Sequence, residues 1–258
     1  MTGFFIKKAF FDGWDNLISL VLLNLGYLVV LLAIYGAIEL FALSVAAGLT
    51  LLVLAVALHS FYTGIVSVHV KEYAWYKRPS FADFTAGCKQ IWRHALLHFG
   101  ISLILLSLMI LIIPFYLSYG SLIPFSIAMI LFWITLALYL AMMFYYPLAS
   151  QMPGDKPIKT LKKAFIIFID NIGFSLFFGV YHIVTLMFTI FFATIIPGMS
   201  GIQLSRQVAV KLLLMKYDYL ENEQQTTKKH IPWDSLLFDE QEKIGKRTLK
   251  GMIFPWKD

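Results

Sequence analysis

The stretch IQLSRQVAVKLLLMK, Ile202 to Lys216, decides how many times the chain crosses a membrane. Hydropathy alone rejects it as a crossing, because Arg206 and Lys211 interrupt it. Charge argues the other way. Ten Lys and Arg residues lie beyond Ile202, and an odd number of earlier crossings would strand them on the outer side. Five earlier crossings are plain, as the apolar runs Leu17–Ile38, Leu40–Val70, Ala95–Leu117, Leu122–Pro147 and Ile172–Ile196. Each is long enough to traverse the roughly 30 Å hydrocarbon layer. The first, despite the Lys7-Lys8 pair before it, is too long for a signal-peptide core and reads as a retained helix.

The composition agrees. Of 258 residues, 59% are apolar and 14% charged, whereas soluble domains run near 45–50% and about 25%. A single core of this size could not bury so much apolar surface. Cys88 is the one cysteine, which excludes a disulfide framework and a cysteine-built metal site.

The basic residues alternate. Lys7 and Lys8 precede the first run. Lys71, Lys77, Arg78, Lys89 and Arg93 separate the second from the third, and Lys156, Lys159, Lys162 and Lys163 the fourth from the fifth. The other connections, around Ala33–Gly48, Pro114–Pro124 and Ile196–Ile202, hold none. The positive-inside rule therefore places the N-terminus and both long loops in the cytoplasm. Gly36, Gly48, Gly120, Pro124 and Pro197-Gly198 mark the expected turns.

An internal repeat favours the sixth crossing. Lys7-Lys8-Ala9-Phe10, four residues and Asp15-Asn16 lead into the first run. Lys162-Lys163-Ala164-Phe165, four residues and Asp170-Asn171 lead into the fifth. A degenerate copy runs from Phe84 to Arg93-His94 before the third. The unit is an interfacial helix, a polar pair and a hairpin of two spans. The expected fold is thus all-α: a polytopic transmembrane helical bundle, six spans as three hairpins with short cytoplasmic interfacial helices. The bundle covers residues 1–220 and a cytoplasmic tail 221–258. The tail reads as a linker, a short helix capped by Asp234 or Ser235, and an apolar end, Met252 to Trp256, that docks on the bilayer.

The segments FFDGWDNLISLVLLNL (10–25), SVHVKEYAWYKRPSFADFTAGCKQIW (67–92), FYYPLAS (144–150) and IKTLKKAFIIFIDN (158–171) resemble the YesL-like bacterial membrane proteins, a family built on a domain of unknown function. The resemblance covers roughly residues 4–220. It implies a bacterial inner-membrane protein loosely associated with sugar uptake or the envelope, and it carries over no catalytic residue. The chain departs from that family in its longer tail and in lacking a proline-led second span.

Chemistry inside the spans is sparse. No Asp or Glu falls in the middle of any run, which counts against a proton-coupled carrier. His94 and His98 stand at i, i+4, but no third ligand completes a metal site, and an interfacial pair is the plainer reading. Asn24 and His182 read as helix–helix hydrogen bonders. No protease, Walker or dinucleotide motif is present, so the chain reads as a non-enzyme without a cofactor. The exception is one helical stripe in the deciding stretch: Gln203, Arg206, Gln207 and Lys211. With Arg206 near mid-depth and Lys211 snorkelling inward, this stripe and His182 form an expected anion- or lipid-binding site between the fifth and sixth helices. The leading expectation is an accessory or scaffold protein of a transporter or the envelope. The alternative is a transporter or channel whose anion or lipid path the sixth helix lines. Expected partners are the bilayer, an anionic lipid, and a transporter or envelope protein. Nucleic acid is not among them, because eight acids offset the basic residues after Ile202.

Overall fold

The computed structural model describes residues 1–192, 194–222 and 231–248. They form a helical bundle, with no strand among them. Five stretches are long and apolar enough to cross a membrane: Leu17–Leu43, Val45–Ala74, Ala82–Ser118, Leu122–Gln151 and Ile172–Phe191. The bundle is sorted as lipid solvent demands. Leu, Ile, Phe and Met side chains such as Leu32, Ile110, Ile123 and Met187 face outward, while Asn24, Gln203, Gln207 and Lys211 are buried.

Two hairpins run the full length. Helix α1 (Thr2–Asp15) leads into α2 (Leu17–Leu43), which turns at Ser44 into α3 (Val45–Ala74). The turn therefore lies between the expected Gly36 and Gly48, and Ser44 caps α3 by accepting the Ala47 N–H. Glu39 and Leu40–Leu43 belong to α2, and α3 is one continuous helix. Helix α4 (Phe81–Ser107) opens on a capping box between Ser80 and Asp83. It passes through a π turn, Leu108–Ile112, into α5 (Ile113–Ser118). Pro114 has no N–H for the α-helical ladder, which accounts for a wider turn at that place. Gly120, at φ +62, lies in the connection to α6 (Leu122–Gln151), as its sequence position foretells.

The repeat is visible in the backbone. Helix α7 (Pro157–Asp170) precedes α8 (Ile172–Phe191) as α1 precedes α2. Asn16 and Asn171 each break the helix, and each donates its side-chain amide to the carbonyl four residues back, Asp12 at 2.8 Å and Ile167 at 2.9 Å. The third copy differs: α4 runs unbroken through Arg93-His94, where no Asn interrupts it.

The third hairpin is shorter than the other two. After α8 the chain turns through Ile195–Pro197 into α9 (Gly198–Asn222). Asn24 holds this turn, donating to the Ile195 carbonyl (2.8 Å) and the Pro197 carbonyl (3.1 Å) and accepting from the Ser200 N–H (2.9 Å). Ser200 also donates to the Leu20 carbonyl at 2.8 Å. Asn24 is about 10 Å along α2 from Leu17 and about 28 Å from Leu43, so α9 starts part-way into the bundle. Instead of crossing from end to end as a sixth lipid-facing span, it is an internal helix packed on α1, α2, α3, α6 and α8. Gly198, at φ +67, lies so close to the Asn24 amide that a Cβ would overlap it. Asn24→Ala strands the Ser200 N–H in an apolar setting. It is expected to cost about 2 kcal/mol, read as a lower midpoint of thermal unfolding in detergent.

All the basic connections and the described part of the tail gather at one end, here the basic end. Helices α10 (Trp233–Leu236) and α11 (Phe238–Ile244) lie there. Pro232 occupies the cap position, and Asp234 and Ser235 fall inside the first turn rather than capping it. Met252–Trp256 lie outside the described residues.

Candidate functional site: a half-buried arginine above an ion cluster

The Gln203–Lys211 stripe does not form a single site. The rise of α9 distributes its four side chains over three levels, with different partners at each.

The deepest level holds Arg206 and Gln203. Arg206 donates from Nε to His182 Nε2 at 3.1 Å. His182 Nδ1 lies 2.7 Å from the Phe178 carbonyl, and a carbonyl only accepts. The proton therefore sits on Nδ1, leaving Nε2 as the acceptor that Arg206 requires. Arg206 and Gln203 line a cavity of about 200 Å³ together with His59, His98, Tyr139 and Ser102. No Asp or Glu lines it. Gln203 is fully buried, and both its amide nitrogen and its amide oxygen lack a partner. Each such group is costly in a medium of low polarity. His98 is turned by Ser60 and Ser102, whose hydroxyls lie 3.1 and 3.2 Å from Nδ1. His94, one turn away, bonds instead to Tyr145 and the Asp155 carbonyl. The i, i+4 pair thus serves two separate neighbourhoods.

The middle level is a polar seal. Gln207 donates to the Ser67 carbonyl (2.7 Å), Ser67 Oγ (2.9 Å) and Ser150 Oγ (2.7 Å). Its own carbonyl oxygen accepts from Gln151 at 2.9 Å. Gln207 therefore ties α9 to α3 and α6, a structural part played by a residue expected in the binding site.

The lowest level is an ion cluster at the basic end. Lys211 does not snorkel. It is 3% exposed, donating to Glu240 of α11 at 2.8 Å and to the Ala74 carbonyl at 3.0 Å. Lys8, fully buried, lies 2.9 Å from Asp12 and 3.1 Å from Glu240. Both are close ion pairs, so Lys8 is shared between the two carboxylates. Tyr76 donates to Glu240 at 3.1 Å, and its ring lies 3.9 Å from Lys8 Nζ. Further out, Arg247 grips both oxygens of Asp15 at 2.8 and 3.0 Å, and Lys7 donates to the Gly245 carbonyl. The tail is thereby clamped to α1.

Burial opposes charge on Glu240, but the hydrogen bond from Lys211 and the charge of Lys8 hold its carboxyl below the usual value. Burial pushes Asp12 up to about 6 despite Lys8, with Lys211 also favouring its ionised form and Glu240 opposing it. The sign of the pH effect follows. The folded protein takes up a proton near pH 6 that the unfolded chain binds only near about 4. Stability from this group is complete below about 4 and is lost as the pH rises through about 6. Wild-type protein is expected to gain stability between pH 7 and 5, and Asp12→Asn to flatten that slope in unfolding scans across the range.

The site residues expected from sequence are therefore divided. Arg206, Gln203 and His182 are brought together, whereas Gln207 and Lys211 are not in that cavity. The cavity is lined from α3, α4, α6 and α9, and His182 of α8 is linked to it only through its bond to Arg206, so it is not a cleft between the fifth and sixth helices. It holds a few small molecules at most and has no room for a diacyl lipid. His59 and Tyr139 had no distinguishing spacing in the sequence, and the i, i+4 spacing of His98 to His94 pointed to an interfacial pair rather than to this cavity. Lys8 and Asp12 did: a Lys–Asp pair at i, i+4 just before the first span. Comparison of the chain with protein families, with characterised proteins and with solved structures gives no match.

Proposed function

We propose that this multi-pass membrane protein binds a small anion at Arg206 and belongs to the transporter or channel class. The supporting observation is the guanidinium, held in a cavity with no carboxylate lining and beside the unpartnered amide of Gln203. A half-buried cation whose neighbours are a neutral imidazole and Tyr139, with no carboxylate, is incompletely compensated, and an anion offsets that cost. Arginine suits a planar or tetrahedral oxyanion because its donors are arranged as a fork. The occupant is a soluble anion of a few heavy atoms, and the protein binds it without chemical turnover. By the positive-inside rule, the basic end faces the cytoplasm of a bacterial cell and both termini lie there. The accessory or scaffold reading, with a transporter or envelope partner, is supported by the YesL-like resemblance alone.

Titration of the purified protein with chloride, nitrate, acetate and inorganic phosphate tests the proposal. At constant ionic strength, at least one of them is expected to raise the unfolding midpoint saturably. At a hundred times Kd the gain is about 2.7 kcal/mol. If none shifts the midpoint beyond the ionic-strength control, the proposed function is wrong.

A further inference from the structure

Glu240 is a tail carboxylate seated between two buried ammonium groups, those of Lys8 and Lys211. With it in place the four inner charges cancel, two lysines against Asp12 and Glu240. Without it, Lys8, Lys211 and Asp12 carry a net positive charge at a position 3% exposed on Lys211 and fully buried on Lys8. Tyr76 adds a hydroxyl donor to the same oxygen that Lys8 faces. Lys211 also borders an open cavity of about 440 Å³ at the basic end, lined by three lysines, Lys71, Lys77 and Lys211, against two acids, Glu72 and Asp218, and by Gln151. Gln151 in turn bonds Gln207, which directly follows Arg206 in α9. The open cavity is therefore separated from Arg206 by the Gln207 seal alone.

We propose that Lys8, Lys211 and Tyr76 form a second anion-binding station, and that Glu240 is a tethered competitor occupying it. The ligand is a small carboxylate or phosphate-type oxyanion, because a carboxylate already satisfies the site in shape and charge. Its place on a route to the interior rests on the reading of Arg206 as an anion site; binding at the station does not. Displacing Glu240 empties the basic end of its plug, so ligand at the station and the docked tail exclude each other.

Two measurements on the full chain test this, with inorganic phosphate and acetate as probes. Glu240→Gln keeps the shape and removes the competing charge. It is expected to tighten phosphate binding at least tenfold, to retain that gain in an Arg206→Leu background, and to lose it on adding Lys211→Gln. No tightening in either background overturns the station. A gain that disappears with Arg206→Leu also overturns it, because the anion is then at Arg206. Should Glu240→Gln fail to fold, the native carboxylate serves instead. With Cys88→Ser, Lys7→Cys and Lys246→Cys, two positions that border one cavity, cross-linking reports the docked tail, and phosphate is expected to slow it saturably. Cross-linking indifferent to phosphate and acetate at any concentration overturns the competition. The same assay in phosphatidylglycerol against phosphatidylcholine nanodiscs, without phosphate, tells whether a headgroup supplies the oxyanion. Slowing in the former alone supports the station with lipid as its source.

Discussion

Arg206→Met is expected to make the protein more stable, by about 2 kcal/mol in buffer free of small anions, while removing the part of its anion response that arises in the Arg206 cavity. The two effects have one cause. In the wild type the half-buried guanidinium meets a neutral imidazole and Tyr139 but no lining carboxylate, so the desolvation of its charge is incompletely offset. Methionine fills much of the same volume without a charge to desolvate, and His182 loses only an optional donor. Arg206→Lys retains the charge but loses the fork and the Nε contact, so a weakened anion response is expected. Thermal unfolding of the three proteins, with and without phosphate or chloride, separates the cases. A loss of stability in Arg206→Met would mean that the arginine is a structural pin, satisfied by groups already in the bundle.

The second large effect is at the basic end. Lys211→Met removes one member of a buried charge cluster and leaves Glu240 with Lys8 as its one buried cation, Lys243 being exposed and 3.8 Å away, while Asp12 competes for the Lys8 ammonium. Breaking a buried pair on one side costs about 3–5 kcal/mol, and undocking of α11 is the least costly escape. A lower unfolding midpoint and freer proteolysis between α9 and α10 are both expected. Adding Glu240→Leu restores neutrality, so the double variant is expected to be more stable than the single one. A double variant as unstable as the sum of its parts would show that the pair is not coupled.

Much of this architecture was legible in the sequence because lipid imposes simple demands. Apolar length located five helices, and the spacing of Lys-Lys-Ala-Phe and Asp-Asn located the breaks at Asn16 and Asn171. The turn at Ser44 was not legible: apolar residues continue on both sides, and the glycines nearby serve packing, Gly48 lying against Phe41. The depth of α9 was hidden for another reason. It depends on Asn24, more than 170 residues away, whose amide supports the turn. Arg206 stood out as an unusual charge, and its partner His182 was within reach of sequence reasoning. Lys211 looked like a snorkelling lysine because its acid, Glu240, lies beyond a linker in the tail, where no periodicity points back to α9. His59, His98 and Tyr139 reach the cavity from three different helices, and only tertiary packing brings them together.

Anomalous scattering from crystals of the wild-type protein soaked separately in bromide and arsenate tests the anion site most directly. An anomalous peak in the cavity, in contact with the Arg206 guanidinium and the Gln203 amide, is the predicted result. A cavity without a peak for either ion, in crystals where both bind elsewhere, would contradict it.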